Sequence, residues 1–279
     1  MYKPGKFYTL TVNRTTDNGQ YLINEEGDEV LMPKRYVTEE IGEGDTVDVF
    51  VYNDSEDRMV ATKETPFAIV GEAAYLEVID KTIHGAFLDW GLAKDLFLPV
   101  RNQMFRMDTG HKYMVFIYVD DVTNRVTATA KLNSFIKNDE ITVKPGEEVD
   151  ILIAMENQLG YRVVINNRHW GMLYSNQIFS PVSVGDRYQG FVYRVTEDNR
   201  IDVSLQQQGF GEVKKSADKI LELIRERGGT LDLHDGSSPE EVRRVTGMSK
   251  KVFKRSVGFL MKKGMIVMDN NKIVLEKNK

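Results

Sequence analysis

Apolar residues recur at every second position in three matching runs, Leu10 and Val12, Leu76 and Val78, Ile151 and Ile153, each preceded by a glycine: Gly5, Gly71 or Gly146. Period two predicts half-buried strands. A second glycine follows each run (Gly19, Gly85, Gly160) at a predicted tight turn, then a second strand with Tyr21-Leu22, Phe87-Leu88 or Arg162-Val163. A third strand ends at Pro33, Pro99 or Tyr174; proline lacks a ladder donor, so this end is expected to be an edge or strand exit. Gly44, Gly110 and Gly185 open the most regular strand, GDTVDVFVY, GHKYMVFIY and GDRYQGFVY. In it Val47, Val49 and Val51, with Tyr113, Val115 and Ile117 and with Tyr188, Gly190 and Val192, share one face, and Phe50 and Tyr52 with their equivalents share the other. A polar turn then leads through Arg58, Arg125 or Arg200 into a closing strand. The positions of Gly85, Phe87, Pro99, Gly110, Phe116 and Tyr118 recur at offsets of 66 and 75 residues, so the unit is a threefold repeat, too long in period for a helical-pair or propeller array.

Five short strands in some 65 residues, without an amphipathic helix, suit a small closed barrel, whose closure removes the edges of an open sheet. Near residue 211 the period changes. Ser216–Arg227 carries a helical stripe of Ile220, Leu221, Leu223 and Ile224 and ends at Gly228-Gly229. Thr230–Leu233 is a short strand candidate. Ser238, Pro239, Glu240 and Glu241 start a second helix that closes at Gly247. Ser249 caps a third, with Val252, Phe253, Ser256, Val257 and Leu260 toward a core and Lys250, Lys251, Lys254 and Arg255 outward. MIVM, a DNN turn and KIVLE predict a terminal hairpin. This is the element order of a winged helix, whose third helix usually meets nucleic acid. The fold class expected is mainly β with an α+β C-terminal domain, divided as 1–64, 65–138, 139–211 and 212–279.

Charge separates along the same boundary. The chain of 279 residues has a net charge of −5, but residues 212–279 hold 16 basic against 10 acidic side chains and residues 1–211 hold 21 against 32. Residues 249–263 hold six bases and no acid, unlike an ordinary solvated helix face. The first repeat, with 7 bases against 14 acids, is the least suited to a phosphate backbone. The absence of cysteine excludes disulfides and cysteine-based zinc sites and suits a reducing compartment. MYKPGKFYTL lacks a signal-peptide pattern and no apolar run reaches membrane-spanning length, so the expected location is cytoplasmic, with no membrane partner.

The middle repeat, GAFLDWG, GLAKDLFLPVRNQ and GHKYMVFIYVDDVTNRVTATAK, resembles the OB-fold RNA-binding module of the ribosomal-protein S-one type. That resemblance implies a base-stacking aromatic on the second strand, a residue at the end of the third that is usually histidine, and a basic residue after the last turn. It marks His84, Phe87, Phe97 and Arg125 in the middle repeat and Arg162, Tyr174 and Arg200 in the third. The chain departs from the pattern at Pro33, Pro99 and Tyr174, where histidine is usual, and at Arg162, where an aromatic is usual. Three such barrels followed by GMSKKVFKRSVGFLMKKGMI resemble, over essentially the whole chain, the bacterial conserved virulence factor B family.

Alternation from Phe87 points Trp90 inward as core, whereas Trp170, beside Arg168 and His169, is left open. Phe50, Tyr52 and their equivalents lie off the usual ligand face and are expected to pack between domains. His84, His111, His169 and His234 occur singly, and no metal-site spacing, phosphate loop or nucleophile motif appears. The expectation is therefore no catalysis, no metal and no cofactor. The expected partner is single-stranded RNA, with Lys250, Lys251, Lys254 and Arg255 joining the barrel residues as contacts. The alternatives are a transcription regulator that binds DNA through the winged helix and a scaffold on the ribosome or an RNA-processing or degradation complex. No dimerisation stripe is present, so a monomer is expected.

Overall fold

The computed structural model describes residues 2–38, 40–178, 180–206, 210–269 and 272–276, in two compact units, Met1–Leu205 and Gln206–Lys279. In the first unit the repeat becomes three five-stranded sheets. The first barrel comprises β1 (Lys6–Thr16), β2 (Gly19–Ile23), β3 (Glu29–Pro33), β4 (Thr46–Asn53) and β5 (Met59–Thr62), closed in the order β1-β2-β3-β5-β4. The third, β11 (Glu148–Asn157), β12 (Gly160–Ile165), β13 (His169–Tyr174), β14 (Arg187–Val195) and β15 (Ile201–Ser204), closes in the same way.

The middle repeat comprises β6 (Ala73–Lys81), β7 (Gly85–Leu88), β8 (Leu96–Pro99), β9 (Lys112–Val119) and β10 (Val126–Thr129), in the order β10-β9-β6-β7-β8. Strict closure, expected for all three, stops short here, because β8 and β10 form no ladder among the described residues. Asn102, in the 3₁₀ turn after β8, joins them instead. Its side-chain amide donates to the Ala128 carbonyl (3.2 Å) and the Tyr118 hydroxyl (2.8 Å), and its carbonyl accepts from the Ala130 N–H (2.9 Å).

Pro33, Pro99 and Tyr174 are strand exits, each opposite the glycine that opens the second strand. That glycine serves close approach: a Cβ at Gly19, Gly85 or Gly160 would lie 2.1, 2.4 or 2.2 Å from a carbonyl oxygen of the neighbouring strand. Real Cβ atoms do not come so close, so a side chain there forces the strands apart.

Alternation on the fourth strand sorts its two faces as expected. Val47, Val49 and Val51 fill the first barrel, whereas Phe50, Tyr52 and Val60 join Leu76, Leu88, Leu96 and Ile117 in the core beneath the second. Trp90 is buried, donating its indole N–H to the Ala68 carbonyl (2.6 Å) and meeting Phe50 edge-on at 5.6 Å. Phe116 likewise packs with Phe135 (4.5 Å), Leu152, Ala154 and Val164 between the second and third barrels. Arg187 donates to the Ala73 carbonyl (2.6 Å) and the Ala73 N–H donates to Asn167 (3.1 Å), completing that junction. His169 is buried there with Nδ1 against the Lys137 carbonyl (2.8 Å). Its Nε2 accepts from the Thr142 N–H (3.3 Å), so the imidazole is a packing clamp.

In the second unit, α1 spans Phe210–Glu226, β16 Thr230–Leu231, α2 Pro239–Thr246, α3 Lys250–Lys262, β17 Ile266–Asp269 and β18 Lys272–Leu275. The first helix begins six residues before the expected Ser216, because Glu212–Lys215 holds good helix formers and no breaker. The strand expected over Thr230–Leu233 is two residues long. Ser238 and Ser249 cap their helices by accepting from the N–H of Glu241 (3.1 Å) and Val252 (3.4 Å), and Gly247 ends α2 with φ +71°. The sheet order is β16-β18-β17; the centre of the expected DNN turn lies outside the described residues. Ala217, Ile220, Ile224, Leu231, Val242, Phe253, Val257 and Leu260 form the core, so the helical stripes face inward as the periodicity requires. No helix among the described residues is long and apolar enough to cross a membrane.

Candidate nucleic-acid interface

Residues directly paired across strands share a face, so strand register identifies what each barrel presents beside its second strand. The first barrel presents Arg14, Tyr21, Leu31, Val60 and Tyr52 in one cross-strand row. The second presents Asp80, Phe87 and Phe97, then Thr127 and Tyr118 across the unpaired seam. In the third the row is Met155, Arg162, Met172, Asp202 and Arg194.

In the first barrel this face is already occupied. The Arg14 guanidinium lies 3.7 Å over the Tyr21 ring and is held there by Glu29 at 2.9 and 3.2 Å, while Val60 and Tyr52 are buried under the second barrel. A base cannot stack on Tyr21 without displacing Arg14, which gives the acidic first repeat a second handicap.

The second barrel leaves its aromatic pair uncapped. Phe87 and Phe97 are half-buried with ring centroids 5.2 Å apart, positioned by the β7–β8 ladder. Beside them is a cavity of 440 Å³ lined by His84, Phe97, Pro99, Arg101, Asp120, Arg125 and Thr127. It brings His84, Phe97 and Arg125 together, with Phe87 joined through Phe97. Arg125, however, is not a free cation: it is ion-paired with Asp57 in the β4–β5 turn of the first barrel. Asp57 also lies 3.9 Å from Lys94, whose ammonium donates to the Asp54 carbonyl (2.7 Å) and whose pKa is pushed down by burial. Arg101, which the sequence pattern did not single out, lines the same cavity and pairs with Asp120 at 2.7 Å.

The third barrel carries the larger groove, 740 Å³, lined in part by Arg162, Trp170, Met172, Tyr174, Arg200 and Asp202. Arg162, Tyr174 and Arg200 are thus brought together. The Arg162 guanidinium lies 3.7 Å over the Trp170 ring and donates to Asn133 (3.3 Å), and its partial burial lowers its pKa. Trp170 is therefore half-buried as the backing of Arg162. Asn138 fixes the wall: its amide donates to the carbonyls of Trp170 (2.9 Å) and Asn199 (2.8 Å), and its oxygen accepts from the Trp170 N–H (2.8 Å). Arg200, exposed at the rim, pairs with Asp198 at 2.6 Å.

Trp170, Asp202 and Arg194 were not singled out as contacts. The offset of 75 places Tyr193, not Arg194, in the column of Tyr118. A bulge between Val192 and Arg194 moves Arg194 opposite Asp202, which no constant offset reveals. On the winged helix, Lys251, Lys254 and Arg255 are exposed and Lys250 is half-buried; Lys254 lies 3.6 Å from Asp235. Lys251 and Arg255, one turn apart, make no ion pair among the described residues, so α3 presents cations that Phe253, Val257 and Leu260 anchor from beneath.

The S1 domain matches residues 4–64 and 70–131, the first two barrels, and a CvfB-like winged helix domain matches residues 218–275. This domain content makes the chain similar to the conserved virulence factor B proteins. A conserved virulence factor B of Staphylococcus aureus is 22% identical over 254 residues, covering 86% of this chain and 82% of that one. The uncharacterized protein YitL of Bacillus subtilis is 29% identical over 279 residues, covering 96% and 92%. A multidomain protein with nucleic acid binding domains from Streptococcus pneumoniae is similar at 20% identity, with a TM-score of 0.40 over 98% of each chain. The chain thus combines S1 and winged-helix domains, which are of nucleic-acid-binding type. The third barrel, outside the S1 matches, repeats their strand order.

Proposed function

We propose that this protein is a non-catalytic RNA-binding protein of the cytoplasm that regulates gene expression after transcription, divided into modules at 1–64, 65–138, 139–211 and 212–279. The observation that carries the reading is the contrast between faces: the Arg14 over Tyr21 is already paired with Glu29, whereas Phe87 and Phe97 carry no cation over their rings and the Arg162 over Trp170 makes no ion pair among the described residues. Stacking on aromatic rings and guanidinium planes accommodates any base, and cations beside it meet the phosphates. Phe87, Phe97, Arg162 and Tyr174 take the stacking roles, with His84 at the edge. Arg125, Lys250, Lys251, Lys254 and Arg255 take the phosphate roles, Arg125 after exchanging Asp57 for phosphate, and Arg200 is the cation at the rim of the third-barrel groove.

The test is crosslinking of bound single-stranded RNA followed by peptide mapping on the whole chain. Adducts at β7–β8, the β12–β13 groove and α3 are expected, and adducts confined to the first barrel would refute the reading. Each phosphate contact contributes about 0.7 to the salt slope on a single strand. Replacing Lys251, Lys254 and Arg255 together by alanine therefore flattens that slope by roughly 2. The exposed basic α3 supports one second reading, duplex DNA held through the winged helix. Tighter binding to a duplex than to a single strand, with a dimer on a two-fold site, would favour it over a monomeric RNA binder.

A further inference from the structure

The third barrel holds a charged group that its counterparts lack. Asp202 stands in the cross-strand column where the first barrel has Val60 and the second Thr127, and it is only 4% exposed while lining the 740 Å³ groove. Its Oδ2 accepts both bonds from Arg194, at 3.0 Å from Nε and 2.6 Å from Nη2. Its Oδ1 takes no hydrogen bond among the described residues. That oxygen borders the groove, where an N–H donor of a ligand can reach it. Strand register places Asp202 one residue across Met172 from Arg162, whose guanidinium lies flat on Trp170, and Arg200 stands at the rim of the same groove.

This geometry points to a guanine-selective base pocket in the third barrel. The inference rests on the proposed RNA-binding function and names the base that the third-barrel groove prefers. A base stacked on the Arg162–Trp170 pair turns its edges toward Asp202 and toward Arg200. A carboxylate seeks adjacent N–H donors, and a guanidinium seeks adjacent acceptors. Guanine alone offers both, N1–H and N2–H on one edge and O6 with N7 on the other. Adenine and cytosine offer one amino group beside a ring-nitrogen acceptor that faces the carboxylate unfavourably. Uracil has a single N–H between two carbonyls. Arg194, through its two bonds to Oδ2, fixes the orientation of the Asp202 carboxylate and so acts as a positioning residue.

The test measures binding of the full chain to a twelve-nucleotide oligouridine carrying guanine, adenine, cytosine or uracil at its centre, by fluorescence anisotropy. Guanine is expected to bind roughly five-fold more tightly than uracil, the low end for a base-edge contact, because Arg194 already occupies Oδ2 and leaves Oδ1 to the base. Inosine, which lacks only the N2 amino group, should lose most of that gain, and 7-deazaguanine part of it. These substitutions alter the ligand alone, so the result does not depend on a variant's folding. Asp202→Asn, with an unchanged thermal melt, should bind the four strands equally. Equal affinity of the unaltered chain for all four bases would overturn this inference and leave the RNA-binding proposal standing. No binding to any strand would overturn that proposal as well. Competition by free GMP as strong as by the guanine strand would overturn the assignment to RNA and make a free guanine nucleotide the ligand.

Discussion

Replacing Phe50 by alanine should destabilise the first unit far more than the same change at its repeat equivalent Phe191. Phe50 is 0% exposed and meets Phe7, Tyr52 and Trp90 at ring-centroid distances of 5.1, 6.3 and 5.6 Å, whereas Phe191 is half-buried on β14. A fully buried phenylalanine truncated to alanine loses about 3–5 kcal/mol, transfer and cavity contributions together. A half-buried ring loses roughly 1–2 kcal/mol on the same scale. The assay is urea denaturation in a Trp170→Phe background, so that fluorescence reports Trp90 at the junction. With a slope of about 2 kcal/mol/M, Phe50→Ala moves the midpoint down by roughly 2 M and Phe191→Ala by roughly 0.5–1 M. A Phe50→Ala shift no larger than that of Phe191→Ala would mean that the fourth-strand aromatics do not hold the first barrel against the second.

Four further changes test the face and its support. Asp57→Asn should tighten single-stranded RNA binding by about 1.4- to 5-fold, since a solvent-exposed ion pair is worth about 0.2–1 kcal/mol, and should have no effect in an Arg125→Ala background. Additive effects in that cycle would disprove competition between Asp57 and phosphate. Gly85→Ala, whose Cβ would lie 2.4 Å from the Leu98 carbonyl oxygen, should destabilise by about 2–3 kcal/mol, as overpacking does. Gly258→Ala, in open space on α3, should instead stabilise by about 0.5–1 kcal/mol; both are read from thermal melts. The Asp120 carboxylate accepts from the backbone N–H of Thr123, from the Thr123 hydroxyl, from the N–H of Val122 and from Arg101, and its pKa is held below the usual value. A depressed carboxylate stabilises above the unfolded pKa of about 3.9 and loses that contribution as pH falls through its folded value. The melting-temperature gap between the parent and Asp120→Asn should therefore narrow between about pH 5 and pH 3, and a gap independent of pH would exclude the effect.

Much of the fold could be read before any coordinates because its signals are local. Alternation at Val47, Val49 and Val51, the caps at Ser238 and Ser249 and the stop at Gly247 act within one strand or one helical turn. The repeat also brought Arg162, Tyr174 and Arg200 into one groove and His84, Phe97 and Arg125 into another, because a constant offset preserves strand order. It failed where one residue changes the register: the bulge beside Val192 carries Arg194 onto the face in place of Tyr193. It was equally blind to the pairing of Arg125 with Asp57, which lies 68 residues away in a different barrel.

Local pattern thus settles which residues can face outward from each barrel, since side-chain direction follows from backbone period alone. Which of them remain available to a ligand is a property of packing between barrels. Tyr52 is buried beneath a neighbour, Tyr21 is capped by Arg14, Arg125 is neutralised by an acid from the preceding repeat, and Arg162 is flattened against Trp170. Each depends on the distance between groups far apart in the chain, and burial and Coulomb energies follow that distance.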